Sequence, residues 1–273
     1  YGPHDIHEYR GKFFPQLVRA LLNLCELPAY PIVFDPMCGS GTTLVEANLS
    51  GCTALGMDLN PLSVFISNTK CGILRTRPEM LIREYERVRK ILLSPRQRWQ
   101  TSKMTYVTSL PSKDQRYLES WFAPHVLSGL DLIATVIGEM EASACRDLFW
   151  VCLSDILRPV SWQKTDDLRV RREDKNDSDI DAIAEYLSQL GRTVRHVAAF
   201  LLEDGTRSYH ECQIFQADAR QIGRHLGSYL GNVDAVITSP PYATALPYLD
   251  TDRLSLCFLK LLPRGEHRST DFE

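Results

Sequence analysis

Apolar and polar positions along this chain follow two rhythms. Leu17, Ala20, Leu21 and Leu24 recur at helical spacing and predict a helix over residues 16–25, opened by Pro15. An apolar run through Val33 and Phe34 then predicts a strand that ends at Asp35. A glycine turn follows, then a helix over residues 42–49 with Gly51 as its terminator. Residues 53–57 form a second expected strand, ending in Asp58. Asn60-Pro61 reads as a cap and first-turn proline for a helix over residues 62–69. The βα alternation then stops. Residues 75–205 carry helical periodicity instead, with amphipathic segments over 79–93, 126–144 and 179–202. It resumes with a strand over residues 211–216, closed by Ala217-Asp218-Ala219-Arg220, and another over 233–237 that runs into Thr238-Ser239-Pro240-Pro241-Tyr242. The pattern predicts an α/β fold with a Rossmann-like sheet and a large helical insertion between the second and third strands. Residues 1–74 and 206–273 are expected to form one domain, with 75–205 inserted into it.

Composition narrows the classes. At 273 residues and 44% hydrophobic, the chain can bury a substantial core. A formal net charge of −3 does not advertise nucleic-acid binding, so any such contact must come from local basic clusters. The eight cysteines are scattered without a C-x-x-C pair or a Cys/His cluster, which disfavours structural zinc and suits the reduced thiols of a cytoplasmic protein. No apolar run approaches the length of a membrane span, and no signal-peptide pattern opens the sequence. With no initial Met, Tyr1 is not expected to be the native start.

The chemistry concentrates after the first strand, at Asp35-Pro36-Met37-Cys38-Gly39-Ser40-Gly41-Thr42-Thr43. Gly39 and Gly41 bracket a tight turn where a side chain would block close approach of a ligand to backbone. A P-loop needs a Lys-Ser/Thr pair after its last glycine, and none is present; a dinucleotide fingerprint wants glycine where Leu44 stands. Asp35 would repel a pyrophosphate but suits a cationic amino-acid moiety, so the ligand reads as S-adenosylmethionine (SAM), whose ammonium and sulfonium are positive. Asp58 follows the glycines by roughly twenty residues, where an α/β nucleotide site places a carboxylate for ribose hydroxyls. Asp218 would reach the same carboxyl edge of the sheet.

A second centre lies at Ser239 to Tyr242. Consecutive prolines fix φ and leave carbonyls without competing N–H donors. The exocyclic amine of a base is a poor nucleophile, because its lone pair is delocalised into the ring. Accepting hydrogen bonds from its protons encourages pyramidalisation; Ser239 with the Pro240 carbonyl suits that task, and Tyr242 suits stacking on the base.

Together, Asp35-Pro-Met-Cys-Gly-Ser-Gly-Thr-Thr, Asp58-Leu59-Asn60-Pro and Thr238-Ser-Pro-Pro-Tyr242 resemble the SAM-dependent amino-group DNA methyltransferases. The run His7-Glu-Tyr9-Arg-Gly-Lys12-Phe13-Phe-Pro-Gln is similar to that family's N-terminal motif, which closes over the cofactor. The resemblance covers the two ends of the chain and is silent on the helical middle. It implies a Rossmann-like SAM methyltransferase sheet. The cofactor would be held by Tyr9, Lys12 and Phe13, by Asp35, Pro36, Cys38, Gly39, Ser40, Gly41, Thr42 and Thr43, by Asp58, Leu59 and Asn60 at the ribose, and by Asp218 with Ala219 at the adenine. Ser239, Pro240, Pro241 and Tyr242 would hold the target base. A serine at the head of this tetrapeptide is more typical of cytosine-N4 enzymes, whereas aspartate is commoner among adenine-N6 enzymes. Adenine-N6 methylation, RNA base methylation and a non-catalytic SAM-binding subunit stay open as alternatives.

Two basic stretches in the insertion suit phosphate contact and base stacking: Arg96-Gln97-Arg98-Trp99 with Lys103, and 158–175, where Trp162, Arg171 and Arg172 stand out. Acidic residues 166, 167, 173, 174, 177 and 179 dilute the second. DNA is the expected partner. The family's sheet usually has seven strands and only four are legible here. The expectation is therefore a sheet completed by another polypeptide or a further segment, because the strand before Ser239 would otherwise present an open edge.

Overall fold

The computed structural model describes all residues except 1, 10, 95–103, 165–169, 174–176, 204–208, 241–247 and 265–273. The chain divides into two compact units: Tyr1–Thr76 with Ala199–Ala243, and Arg77–Ala198 with Thr244–Glu273.

The first unit holds a four-stranded parallel sheet in the order β3-β2-β1-β4, built from β1 (Ile32–Asp35), β2 (Thr53–Asp58), β3 (Cys212–Gln216) and β4 (Ala235–Val236). All four expected strands are present. The last is shorter than the run over 233–237, pairing with β1 at Val33↔Ala235 and Phe34↔Val236 only. Helices α1 (Pro15–Leu24), α2 (Thr42–Leu49) and α3 (Pro61–Ile73) complete this unit's main elements. The parallel register is what positions the site. It brings the carboxyl ends of β1, β2, β3 and β4 to one edge, so the residues that follow them share that edge.

The core explains the local sequence. Val33 and Ala54 from the strands, Leu44, Val45 and Ala47 from α2, and Val18 and Leu22 from α1 form one buried cluster. The opposite face is covered by a smaller group, Phe34, Leu55, Met57, Ala217 and Leu226. Strands apolar on both faces are what a parallel sheet requires. Gly51, at φ 80°, ends α2 in the left-handed region as its position predicted.

The second unit is helical. It contains α4 (Pro78–Leu92), then Ser112–Glu119, Pro124–Gly138, Ala144–Leu157, most of Ala182–Glu203, and the short helices Tyr248–Thr251 and Arg253–Phe258. The helix expected over 126–144 is two helices. The first ends at Gly138 and the second is capped by Ser143, whose Oγ accepts from Arg146 N at 3.2 Å. The helix expected from 179 begins at Ala182, because Asp181 caps it by accepting from Ile183 N and Ala184 N. The described residues 248–264 cluster with these helices rather than with the sheet: Leu254, Leu256, Cys257 and Phe258 are buried there. Among the described residues no helix is long and apolar enough to cross a membrane. All eight cysteines are unbridged.

Candidate active site

The glycine turn is closed by Gly41 N donating to Cys38 O at 2.8 Å, and Cys38 N donates to Met57 O at 2.9 Å, tying the turn to β2. Gly39 and Gly41 sit at φ 49° and 78°. A Cβ on Gly41 would lie 2.8 Å from Ser67 Oγ and 3.0 Å from Ser67 Cα, so that site excludes any side chain on both backbone and steric grounds. Gly41→Ala is expected to lower stability by at least about 2 kcal/mol and to abolish cofactor binding, read by thermal unfolding and calorimetry.

Asp58, at the end of β2, braces the turn from the other side. Its two oxygens accept from Gly39 N and Asn60 N, each at 2.8 Å. Burial pushes its pKa up, and the backbone donors pull it partly back. A carboxylate has about four acceptor positions, so two bonds leave capacity for ribose hydroxyls. Asn60 is buried and caps α3, its Oδ1 accepting from Leu62 N at 3.0 Å. Leu59, beside it, is exposed.

Asp35 is 2% exposed at the end of β1, and Oδ1 accepts from Met37 N at 3.1 Å. Burial raises its pKa to about 6, while Thr238, Thr43 and the Met37 backbone act in the opposite sense. Thr43 Oγ1 and Thr238 Oγ1 are nonetheless buried without a partner at hydrogen-bonding geometry. A carboxylate this deep, beside two unsatisfied hydroxyls and without a cation at ion-pair distance among the described residues, fits the ammonium end of SAM. Pro36 is half-buried, and Ser40, Thr42 and Thr43 are buried in the turn and first turn of α2.

Thr238 and Ser239 leave β4 next to Asp35, because Ile237 N donates to Phe34 O at 3.1 Å in the parallel register. Ser239 is half-buried and Pro240 exposed; the expectations for Pro241 and Tyr242 fall outside the described residues.

Several expected residues are already engaged by other groups of the protein. Asp218, past β3, is held below its usual pKa by the Arg220 guanidinium, which donates to it from Nε and Nη2. Contact with an adenine amine there requires Arg220 to yield, and Ala219 lies in the short turn that Asp218 caps. Lys12 pairs with Asp5 at 3.0 Å. Phe13 packs against the core cluster of the sheet. Tyr9 is the N-terminal residue that meets the turn: its ring lies where a Cβ on Gly39 would come within 3.3 Å, and its hydroxyl bonds Ser63 Oγ at 2.8 Å. In the helical unit, the Arg172 guanidinium stacks 4.4 Å over the Trp162 ring, and Arg171 is exposed. Arg96 and Arg98 lie outside the described residues.

Cys38 is buried, with its Sγ 3.9 Å from Ser67 Oγ. Burial and the neighbouring Asp58 and Asp35 push its thiol well above the usual range. It is thus poorly suited to nucleophilic attack on a base. Cys38→Ala is expected to retain activity within a few-fold of wild type; complete loss with cofactor binding intact would contradict this.

Sequence reasoning missed a buried polar group beneath the site. Glu46 in α2 is fully buried, accepting from or sharing a proton with His4 Nε2 at 2.7 Å and accepting from Arg19 Nε at 3.0 Å. Lys70 in α3 is also fully buried, and its Nζ donates to Ser40 Oγ at 3.3 Å. The signal for Lys70 was present, since it stands four residues after Ile66 and three before Ile73 on the helix's buried stripe.

Known methyltransferases are similar to this chain. Residues 7–101 match the UPF0020 family model, described as an RMKL-like methyltransferase domain. The chain is 26% identical to the Type II methyltransferase M.MvaI of Kocuria varians, over 94% of this chain and 58% of the relative. It is 22% identical to the Type II methyltransferase M.BsoBI of Geobacillus stearothermophilus, over 94% and 52% respectively. A tRNA (guanine(10)-N2)-dimethyltransferase of Methanocaldococcus jannaschii is 42% identical over 50 residues, 18% of this chain and 14% of that protein. The chain thus spans about half the length of the curated relatives it matches along most of its own length. These similarities bear out the resemblance to the DNA amino-methyltransferases, and the methyltransferase match implies SAM as methyl donor.

Proposed function

We propose that this chain carries the catalytic centre of a DNA methyltransferase that modifies the exocyclic amine of a base, with cytosine N4 as the target. The observation that carries this reading is the shared sheet edge: Asp35, the Gly39–Gly41 turn, Asp58 and Thr238-Ser239 all follow carboxyl ends of adjacent parallel strands. The Type II methyltransferases similar to this chain support DNA as the substrate.

When bound, SAM supplies an electrophilic methyl group on a positive sulfonium. Asp35 holds the ammonium of its amino-acid part, the glycine turn gives its backbone close approach, and Asp58 accepts from the ribose hydroxyls. Ser239 Oγ and the Pro240 carbonyl accept hydrogen bonds from the base amine's N–H groups and orient its nitrogen lone pair. The rest of the work is positioning and exclusion of water. A base in duplex DNA must leave the stack to reach this edge. The serine that heads the tetrapeptide favours cytosine over adenine. The helical unit, with Trp162, Arg171 and Arg172 and the stretch containing Arg96 and Arg98, serves DNA contact in this reading, in a cytoplasmic protein.

A second reading is favoured by one observation, the local identity to tRNA (guanine(10)-N2)-dimethyltransferases, 42% over 50 residues and 38% over 52: methylation of a base amine in RNA. Methyl-labelled SAM offered with DNA and with tRNA separates the two. Label is expected in DNA; label confined to tRNA overturns the choice of polymer, and label in neither leaves a SAM-binding subunit. Charge reversal at Arg96, Arg98, Arg171 and Arg172 together is expected to weaken DNA binding and flatten its dependence on salt. Unchanged affinity removes those residues from the interface.

A further inference from the structure

Lys70 has no place in the chemistry above, yet it is fully buried and touches the cofactor turn. Its Nζ meets Ser40 Oγ at 3.3 Å, and no described carboxylate lies within ion-pair distance of it. Asp5, the acid on the N-terminal segment that acts on it, is turned to Lys12, and Glu46 is taken up by His4 and Arg19. A lysine buried this way costs stability, because an ammonium loses its hydration and gains one neutral acceptor. A methionine or leucine would fill the same stripe of α3 without that cost.

The donor logic of the pair gives it a use. An ammonium only donates, so Ser40 Oγ must accept from it; the Ser40 O–H is then free to donate elsewhere and is polarised by the positive charge. We infer that Lys70 is a positioning residue for the cofactor, turning the Ser40 hydroxyl outward as a donor to the carboxylate of the ligand's amino-acid part. Asp35 and Ser40 then divide that zwitterion between them, the carboxylate of Asp35 for the ammonium and the hydroxyl of Ser40 for the carboxylate. The inference rests on the cofactor reading and extends it to a residue outside the motif.

Protonation of Lys70 is the natural readout. Burial lowers its pKa to about 7, with Lys12 adding to the fall and Asp5 and Cys71 opposing it; His4 also lies within its electrostatic reach. Below that value the ammonium donates to Ser40. Above it the neutral amine accepts from Ser40 instead and withdraws the hydroxyl from the ligand. Affinity for a ligand with the carboxylate therefore falls as pH rises through about 7.

Titration calorimetry with two probes tests this on the full chain: S-adenosylhomocysteine, which has the amino-acid part, and 5′-methylthioadenosine, which lacks it. Lys70→Met is expected to weaken S-adenosylhomocysteine about tenfold at pH 6.5, to erase the loss of affinity above pH 7, and to leave 5′-methylthioadenosine unchanged. Ser40→Ala is expected to give the same selective loss, and carries the test should the Lys70 variant not fold. Equal loss of both probes, or no loss of either, in the variants overturns the inference. Wild-type protein that binds neither probe overturns the cofactor reading itself.

Discussion

Asp35→Asn is expected to raise the melting temperature of the ligand-free protein and to cut affinity for SAM about 100-fold. The two effects have one origin. Asp35 is 2% exposed, and burial lifts its pKa from 3.8 to about 6. A carboxyl group raised in the folded state contributes stability that is present below its unfolded value and is lost as pH rises through the folded one. At pH 7 the ionised group therefore costs the fold on the order of 2–3 kcal/mol. Asparagine keeps an acceptor for Met37 N and removes the charge, so the apo protein should gain several degrees, most clearly above pH 6. The same change strips the site of its counter-charge for the ligand's ammonium. Wild-type affinity should also decline as pH falls below about 6, when Asp35 takes a proton, and that limb should vanish in the variant. A variant that binds SAM normally, or one that unfolds earlier than wild type, contradicts this assignment.

Ser239→Ala and Tyr242→Ala carry the second large effect: turnover is expected to fall about 100-fold or more for each, with cofactor affinity within twofold of wild type. Ser239 leaves β4 on the same edge as Asp35, but its proposed partner is the base amine rather than the cofactor. Losing one acceptor leaves the amine lone pair delocalised into the ring. A change in transition state rather than in cofactor binding should therefore appear as lost kcat. Cofactor affinity that falls in step with turnover would place the tetrapeptide in the cofactor site instead.

The sheet and the edge that carries the candidate site were largely legible in the sequence. The central strands β1 and β2, buried on both faces, read as short apolar runs, and each of the four strands is followed or ended by a residue whose type was itself informative: Asp35, Asp58, the Ala217-Asp218 pair and Thr238-Ser239. Asn60-Pro61 announced α3 because cap chemistry is local. What was not legible depends on contacts distant in sequence. Glu46 is paired by His4 and Arg19, 42 and 27 residues away, and nothing in α2 alone distinguishes it from a surface glutamate. Arg220 engages Asp218 from only two residues on, yet spacing cannot say whether that carboxylate faces its neighbour or a ligand. The continuous helical pattern over 126–144 concealed a break, because the polar residues before Ser143 are compatible with an exposed helix face as well as with a loop. Domain bounds drawn from the βα rhythm grouped residues 244–273 with the sheet; their buried Leu254, Leu256 and Phe258 pack with the helices, a preference that no period reveals.

β4 lies at one edge of the sheet. β4 pairs only with β1 among the described residues, and Val236 on it is 59% exposed. Exposed strand edges are an association liability.

Nucleoside mass spectrometry of DNA incubated with the protein and methyl-labelled SAM tests the central chemistry most directly. Label on an exocyclic amine is the predicted result, as N4-methylcytosine. Label at carbon 5 of cytosine, or no label in any base, contradicts direct transfer to an amine at the edge formed by Asp35 and Ser239, and N6-methyladenine contradicts the choice of cytosine.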